Sequence, residues 1–397
     1  MKACLGYLSG APRVSTDPQA ELGGARTHVL GIITAFEQLS WNVKPYIVGD
    51  KVPRKWVGKG SERAISNSFF RTLIVDLIRL IISARYSRQA WQELKGQVDW
   101  VYERCGTFQA MGRKFKYNGV PWILETNALL YEEAKFERKS LILYKLARYM
   151  EIKAYQDCDV LVCISNNLKQ RLITETDISS EKILVIPNGV NLNYINPDQH
   201  PSRRLFSGFT VGFVGSLYAW SGLDLLLEVV RELQGKGFNI SVVVIGDGQV
   251  KETLLEQVQK LNLVDNVKFL GQLPQKELLP ILAGCDLGYS GHFDLQGKQA
   301  YRSPLKLYEY MAMAKPVLAS AIEGTESVIR EGQTGFLFQP NDKNSLKQAL
   351  VKAFTAQNKL PEMGAEARQE IELNHSWTRR VQVLIEQSDR ILKEKGN

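Results

Sequence analysis

A lysine and a glutamate three residues apart, Lys306 and Glu309, stand at the start of a short helical pattern that opens Ser303-Pro304-Leu305. Proline suits the first turn of a helix, where its missing N–H costs nothing. The first backbone N–H groups of such a helix have no intrahelical partner and attract anions. Lys306 adds positive charge one turn in, and Glu309 is within reach of whatever binds there. A carboxylate beside an anion site can accept hydrogen bonds from sugar hydroxyls next to a phosphate. The plain alternative is a loop, helix and strand on which Glu309 is merely solvated. Two further places could do chemistry. Gly23-Gly24 precedes a helix and lets a phosphate approach the backbone closely, although the pair is not GxGxxG and suits a bare helix start equally well. Glu125 and Asn127 end an apolar strand and, two apart, share a face if the strand continues. His28, one turn into the helix after Gly24, reads as a packed or capping residue rather than a catalytic one.

The elements that must hold these residues alternate. Strands are expected at 3–9, 41–48, 98–104, 121–124, 159–164 and 182–186, with helices at 25–39, 70–94, 108–118, 131–157 and 166–174. The polar stretch 191–208, with Pro197, Pro201 and Gly208, reads as a linker. From Phe209 the pattern restarts, with strands at 210–214, 240–245, 267–270, 287–290, 317–319 and 335–338 and three closing helices. This alternation predicts an α/β chain of two doubly wound parallel sheets, facing each other across a cleft. Ligand-facing residues sit at the carboxyl ends of such strands, which is where Glu125 and Asn127 fall. The expected domains are 1–200 and 201–376, with a last helix at 377–397 that packs back on the first.

Composition narrows the class. A chain of 397 residues is too long for one ordinary core. With 44% hydrophobic and 23% charged residues it reads as soluble and globular. A net charge of +8 permits an acidic partner. The five cysteines are scattered without metal-ligand spacing, so reduced thiols, no metal and a cytoplasmic protein are expected. The first residues lack the apolar core of a signal peptide, and no window is long and apolar enough to span a membrane. Residues 51–71 carry Lys51, Arg54, Lys55, Lys59, Arg63 and Arg71 against Glu62, with Trp56, Phe69 and Phe70 interleaved. With the apolar helix that follows, 51–94 could dock peripherally on an anionic membrane; a solvated loop leading into a buried helix is the other reading. The basic stretch is too short and isolated for a nucleic-acid partner.

The motifs, taken together, resemble the retaining glycosyltransferases of the GT4 type, with two Rossmann-like domains in the GT-B arrangement. The carriers are Gly23-Gly24 with His28, Asp159 to Ser165, Ile186-Pro-Asn-Gly-Val190, Val211 to Ser216, Ile245-Gly-Asp-Gly248, Phe269-Leu-Gly271, Glu309 to Val317, Glu323-Gly324, Gly332 to Phe336 and Ser376-Trp377. The resemblance implies sugar transfer from a nucleotide-diphosphate donor to an acceptor hydroxyl, with UDP expected ahead of GDP. The acceptor would be a carbohydrate or a lipid-linked molecule, in polysaccharide or glycolipid synthesis. No cofactor or metal is implied. By analogy Glu309 holds the ribose hydroxyls, and Gly271 and Gln272 sit by the base with the Gly246–Gly248 loop nearby. Gly215 and Ser216 open the second domain's first loop. Amides at Ser303, Leu305 and Lys306 face the phosphates, and Gly23-Gly24 closes over them. Glu125 or Asn127 positions donor sugar or acceptor.

Three positions depart from the family pattern. Tyr301 stands where a first glutamate often contacts the donor sugar. Ser221-Gly222, after Tyr218 and Trp220, replaces a lysine–glycine pair at the diphosphate. Glu125-Thr-Asn127 stands where many members have a histidine. Arg302 and Lys306 are then expected to meet the phosphate charge, in a subgroup with Ser-Pro-x-Lys. A fixed Arg/Lys pair would stabilise the leaving diphosphate. Two alternatives follow: a catalytically silent nucleotide-sugar-binding subunit, and a sugar-nucleotide epimerase of the same architecture.

Overall fold

The computed structural model describes residues 2–18, 20, 23–53, 69–293 and 303–396. They form two compact units, 1–187 with 377–397, and 188–376. Each is built on a six-stranded, all-parallel sheet.

In the first unit the strands are β1 (Cys4–Ser9), β2 (Asn42–Ile47), β3 (Trp100–Arg104), β4 (Trp122–Thr126), β5 (Val160–Cys163) and β6 (Ile183–Val185), ordered β2-β1-β3-β4-β5-β6. In the second they are β7 (Phe209–Val214), β8 (Ile240–Ile245), β9 (Val267–Phe269), β10 (Leu287–Ser290), β11 (Val317–Ser320) and β12 (Gly335–Phe338), ordered β12-β11-β10-β7-β8-β9. Strands buried on both faces read as unbroken apolar runs, as Val242-Val-Val-Ile245 does. The order reverses between β1 and β3, and between β7 and β10. Ligands of such sheets bind beyond the carboxyl ends of the strands at that reversal.

Three expectations are corrected. The stretch 108–118 is helical only over Arg113–Lys116. Buried Glu103 accepts the N–H groups of Met111 and Gly112 at 2.9 and 2.8 Å, and Phe108 takes a left-handed φ of 65°, so the chain before Arg113 turns instead of coiling. The stretch 131–157 is not one helix. It runs Leu130–Glu132, a π turn Glu133–Glu137, then Tyr144–Asp157 after a break. Two carboxylates compete for its amides: distant Asp76 takes those of Ile142 and Leu143, and Glu151, from later in the same stretch, those of Leu130 and Tyr131. The stretch 191–208 is packed on the second unit, whose boundary falls after Pro187. Ile195 is buried, its carbonyl accepts from Arg368 at 2.7 Å, and the Arg203 N–H donates to Pro280. The helix Trp377–Gly396 belongs to the first unit, where the Trp377 indole occupies the space a side chain at Gly31 would need.

Candidate active site

In the second unit the loop before the helix Leu305–Ala312 is tied down by Asn188, from the Pro187-Asn-Gly-Val turn. Its backbone N–H donates to Ser303 Oγ at 3.0 Å, and its side-chain amide donates to the Ser303 carbonyl at 2.6 Å. Ser303 Oγ also meets the Tyr308 hydroxyl at 3.1 Å. The Ser303 side chain is therefore used up in holding the loop. At its other end the helix is fixed by Tyr310, whose hydroxyl accepts the Val214 N–H at 2.7 Å. Leu305 and Lys306 fall in the first turn, whose amides have no intrahelical acceptor. Lys306 Nζ lies 4.3 Å from the centroid of the Phe213 ring. Glu309 is partly exposed. Burial pushes its carboxyl up to about 7, against the pull of Lys306. The helix thus joins an amide terminus, a cation and a carboxyl that ionises near neutrality.

Beside it, three glycine loops at the ends of β7, β8 and β9 are stitched together. The Gly215 N–H donates to Ile245, the Gly246 N–H to Gly271, and the Leu217 N–H to Asp247. Gly246 has φ 144°, and a Cβ there would lie 1.8 Å from the Gly215 carbonyl oxygen, so only glycine lets the two loops meet. Gly248 also packs closely on the Leu217 backbone, where a Cβ would lie 2.3 Å from the Leu217 carbonyl oxygen. Ser216 and Gln272 are exposed on this rim.

At the sheet reversal stands a feature the sequence reading missed. Tyr218, Trp220 and His292 form a column of near-parallel rings, 5.6 and 5.4 Å apart. His292 comes from the end of β10 and gave no sequence signal, since only the pairing of β7 with β10 brings it to Trp220. The loop is latched further by the Tyr289 hydroxyl, which donates to the Gly222 carbonyl at 2.8 Å. Ser221 is buried. Arg302 and Tyr301 lie outside the described residues.

In the first unit Glu125 sits at the carboxyl end of β4, in register with Arg104 on β3 and, through it, Ser9 on β1. Its side chain is 2% exposed. Oε1 is 2.7 Å from His28 Nε2, and Oε2 accepts from the Tyr102 hydroxyl at 2.8 Å. With its amide turned to suit its neighbours, Asn127 donates to Glu125 Oε1 at 3.1 Å and accepts from Arg104 at 3.3 Å. Burial alone would raise the Glu125 carboxyl, but His28, then Arg104 and Tyr102, outweigh it and hold it below its ordinary value. Glu125 is thus an ionised, saturated acceptor. His28, expected only to pack or cap, is its main partner, and Trp377 packs edge-on against the imidazole at 5.0 Å. Nothing in sequence spacing announces a pair 97 positions apart; the strand order, which sets β4 two places from β1 and its helix, makes it. Gly23 caps the helix Gly24–Gln38 in extended conformation, with open space where its side chain would be.

Comparison with known proteins agrees with this architecture. Residues 22–194 match the family model described as glycosyltransferase family 4, and residues 207–370 that of glycosyl transferases group 1. An uncharacterised glycosyltransferase of Methanocaldococcus jannaschii is 23% identical over 278 residues, 68% of this chain and 67% of its own length. The chain spans 59% of a second such protein from that archaeon. Among solved structures, the catalytic domain of starch synthase IV from Arabidopsis thaliana, bound to ADP and acarbose, superposes with a TM-score of 0.72 at 14% identity, covering 99% of this chain and 100% of that one. HepE of Anabaena, in complex with UDP, gives 0.64 at 18% identity over 97% and 99%; it was also solved with UDP-glucose. With both halves matched by these family models and the whole chain superposing on such structures, the chain is a glycosyltransferase of the GT4 type on a GT-B fold.

Proposed function

We propose that the protein transfers a sugar, with retention, from a nucleotide-diphosphate donor to the hydroxyl of a carbohydrate or lipid-linked acceptor. The observation that carries this is the helix Leu305–Ala312, with its amide terminus, Lys306 and Glu309 beside the stitched loops of Gly215, Gly246 and Gly271. In this reading the donor lies on the second unit. Diphosphate oxygens take the Leu305 and Lys306 amides and the Lys306 ammonium, with Arg302 as a second cation. Glu309 accepts from the ribose hydroxyls, and Gly271 and Gln272 border the base. Charge developing on the leaving diphosphate is met by groups already in place, which lowers the barrier without reorganisation. Retention needs no separate base, because the departing phosphate can take the acceptor's proton. The saturated state of Glu125 agrees with a positioning role for it and Asn127. UDP is the preferred donor base, supported by HepE in complex with UDP and UDP-glucose.

The test is thermal shift with UDP, GDP, ADP and their sugars, on the native protein and on Lys306→Ala. A ligand that binds only the folded state raises the melting temperature. We expect a shift with UDP that Lys306→Ala abolishes. No shift with any nucleotide would overturn the donor assignment, and unchanged turnover in Lys306→Ala would overturn the role of that lysine.

A further inference from the structure

The helix Phe69–Leu94 turns its polar side inward and much of its apolar side outward. Thr72, Asp76, Ala90 and Leu94 are buried. Asp76 accepts two backbone N–H groups at 2.8 and 3.0 Å, and Arg79 donates to the Ser140 carbonyl at 2.9 Å, so polar groups fasten the helix to its domain. On the other side Phe70 is 74% exposed, Ile74 56%, Leu77 48%, Ile78 46% and Ile81 68%. At the helical period these five fall within an arc of roughly 100°. Arg85 and Arg88, both exposed, continue the same arc one and two turns further on. The outward stripe is therefore large and apolar in its first half and cationic in its second.

An exposed apolar run of this size marks a contact surface. What it contacts follows from the charge. The stripe itself ends in two arginines, the sequence 51–71 just before it carries six basic residues against one acid, and the chain has a net charge of +8. No helix among the described residues is long and apolar enough to cross a membrane. We propose that this face docks on the surface of an anionic bilayer, with Phe70, Ile74, Leu77, Ile78 and Ile81 at the boundary of headgroups and acyl chains and Arg85 and Arg88 on lipid phosphates. Apolar insertion and cationic attraction together give the two signals that stable interfacial binding needs. The proposal stands on this helix and the charge around it and does not depend on the sugar-transfer reading.

Vesicle flotation of the full chain tests it. Mixed phosphatidylcholine–phosphatidylglycerol vesicles should carry the protein, pure phosphatidylcholine vesicles should not, and added salt should release it. Replacing Phe70, Ile74 and Ile81 by serine should weaken binding roughly tenfold or more, and Arg85→Ala with Arg88→Ala should do so for anionic vesicles. These side chains are exposed, so both variants should keep the native melting temperature and its shift with UDP. Failure of the native chain to bind anionic vesicles overturns the proposal, as does an apolar variant that binds like the native chain. If vesicles are ignored and the native chain is a dimer that the serine variant splits, the face is a self-association surface instead. Loss of the UDP shift with vesicle binding intact would fall on the sugar-transfer reading, not on this one.

Discussion

His28 Nε2 and Glu125 Oε1 lie 2.7 Å apart, with both side chains almost wholly buried. The pair joins the helix after β1 to the end of β4, one strand beyond the reversal of the first sheet. Removing a hydrogen-bond partner of the buried Glu125 carboxylate leaves that charge poorly compensated, which costs far more than losing an exposed contact. His28→Ala should therefore lower the unfolding free energy by about 3 kcal/mol. Urea unfolding of the two proteins measures this, and a loss within error of zero would mean that Tyr102 and Asn127 suffice for Glu125.

Glu125→Gln separates position from charge. Glutamine keeps the shape and one acceptor but gives up the ionised carboxylate. Nucleotide affinity should be unchanged, because the groups proposed to hold the donor lie on the other unit, while turnover falls. A changed UDP dissociation constant with unchanged kcat would reverse the assignment of Glu125 and Glu309.

The Asn188–Ser303 contact gives a third expectation. Ser303→Ala removes the acceptor of the Asn188 N–H and the partner of the Tyr308 hydroxyl. Each such bond is worth about 1 kcal/mol net, so global stability should fall only modestly. The loop before Leu305 would lose its tether, and the KM for the nucleotide sugar should rise several-fold with little change in kcat. Equal effects on both parameters would point to a direct role in the chemistry.

Glu309 carries the expected pH dependence. Its carboxyl is pushed up to about 7, mainly by burial. The folded state therefore binds a proton that the unfolded state has released, so this group's contribution to stability is lost as pH rises from the ordinary carboxylate value through 7. Binding runs the other way, since accepting from two ribose hydroxyls favours the ionised form. UDP affinity should weaken as pH falls from 8 to 6, and Glu309→Gln should bind weakly with a flat profile. Calorimetric titration at several pH values decides it, and a mutant that keeps the native slope would assign the slope elsewhere.

Much of this was legible before any coordinates. The apolar runs of β7 and β8, the Pro304 helix start and the glycines after β7, β8 and β9 all report local rules, and local rules survive into the fold. The two misread helices share one cause. Asp76 recruits backbone amides 66 and 67 positions away, Glu151 amides 21 and 20 away and Glu103 amides 8 and 9 away, and helical or strand periodicity signals none of these pairings. The same holds for His28 with Glu125 and for His292 with Trp220, which are created by strand order. The exposed stripe of Phe69–Leu94 was visible as apolar content, but which side faces outward depends on Asp76 and Arg79 finding their partners.

Two of the stitched glycines, Gly246 and Gly271, should differ sharply when changed to alanine. Gly271 has φ 68° and open space around its missing side chain. Alanine there meets only the left-handed backbone penalty, roughly 1–2 kcal/mol. At Gly246 the backbone penalty is joined by a Cβ 1.8 Å from the Gly215 carbonyl oxygen, a backbone atom that cannot swing away. The loops of β7 and β8 would have to part, breaking the Gly215 to Ile245 and Leu217 to Asp247 bonds. Gly246→Ala should thus cost more than about 4 kcal/mol, at the diagnostic end of single substitutions, and abolish the UDP shift. Gly271→Ala should fold and keep part of it. Thermal melts of both variants settle the point: equal, mild losses would mean that the two loops are not held together as tightly as these bonds imply.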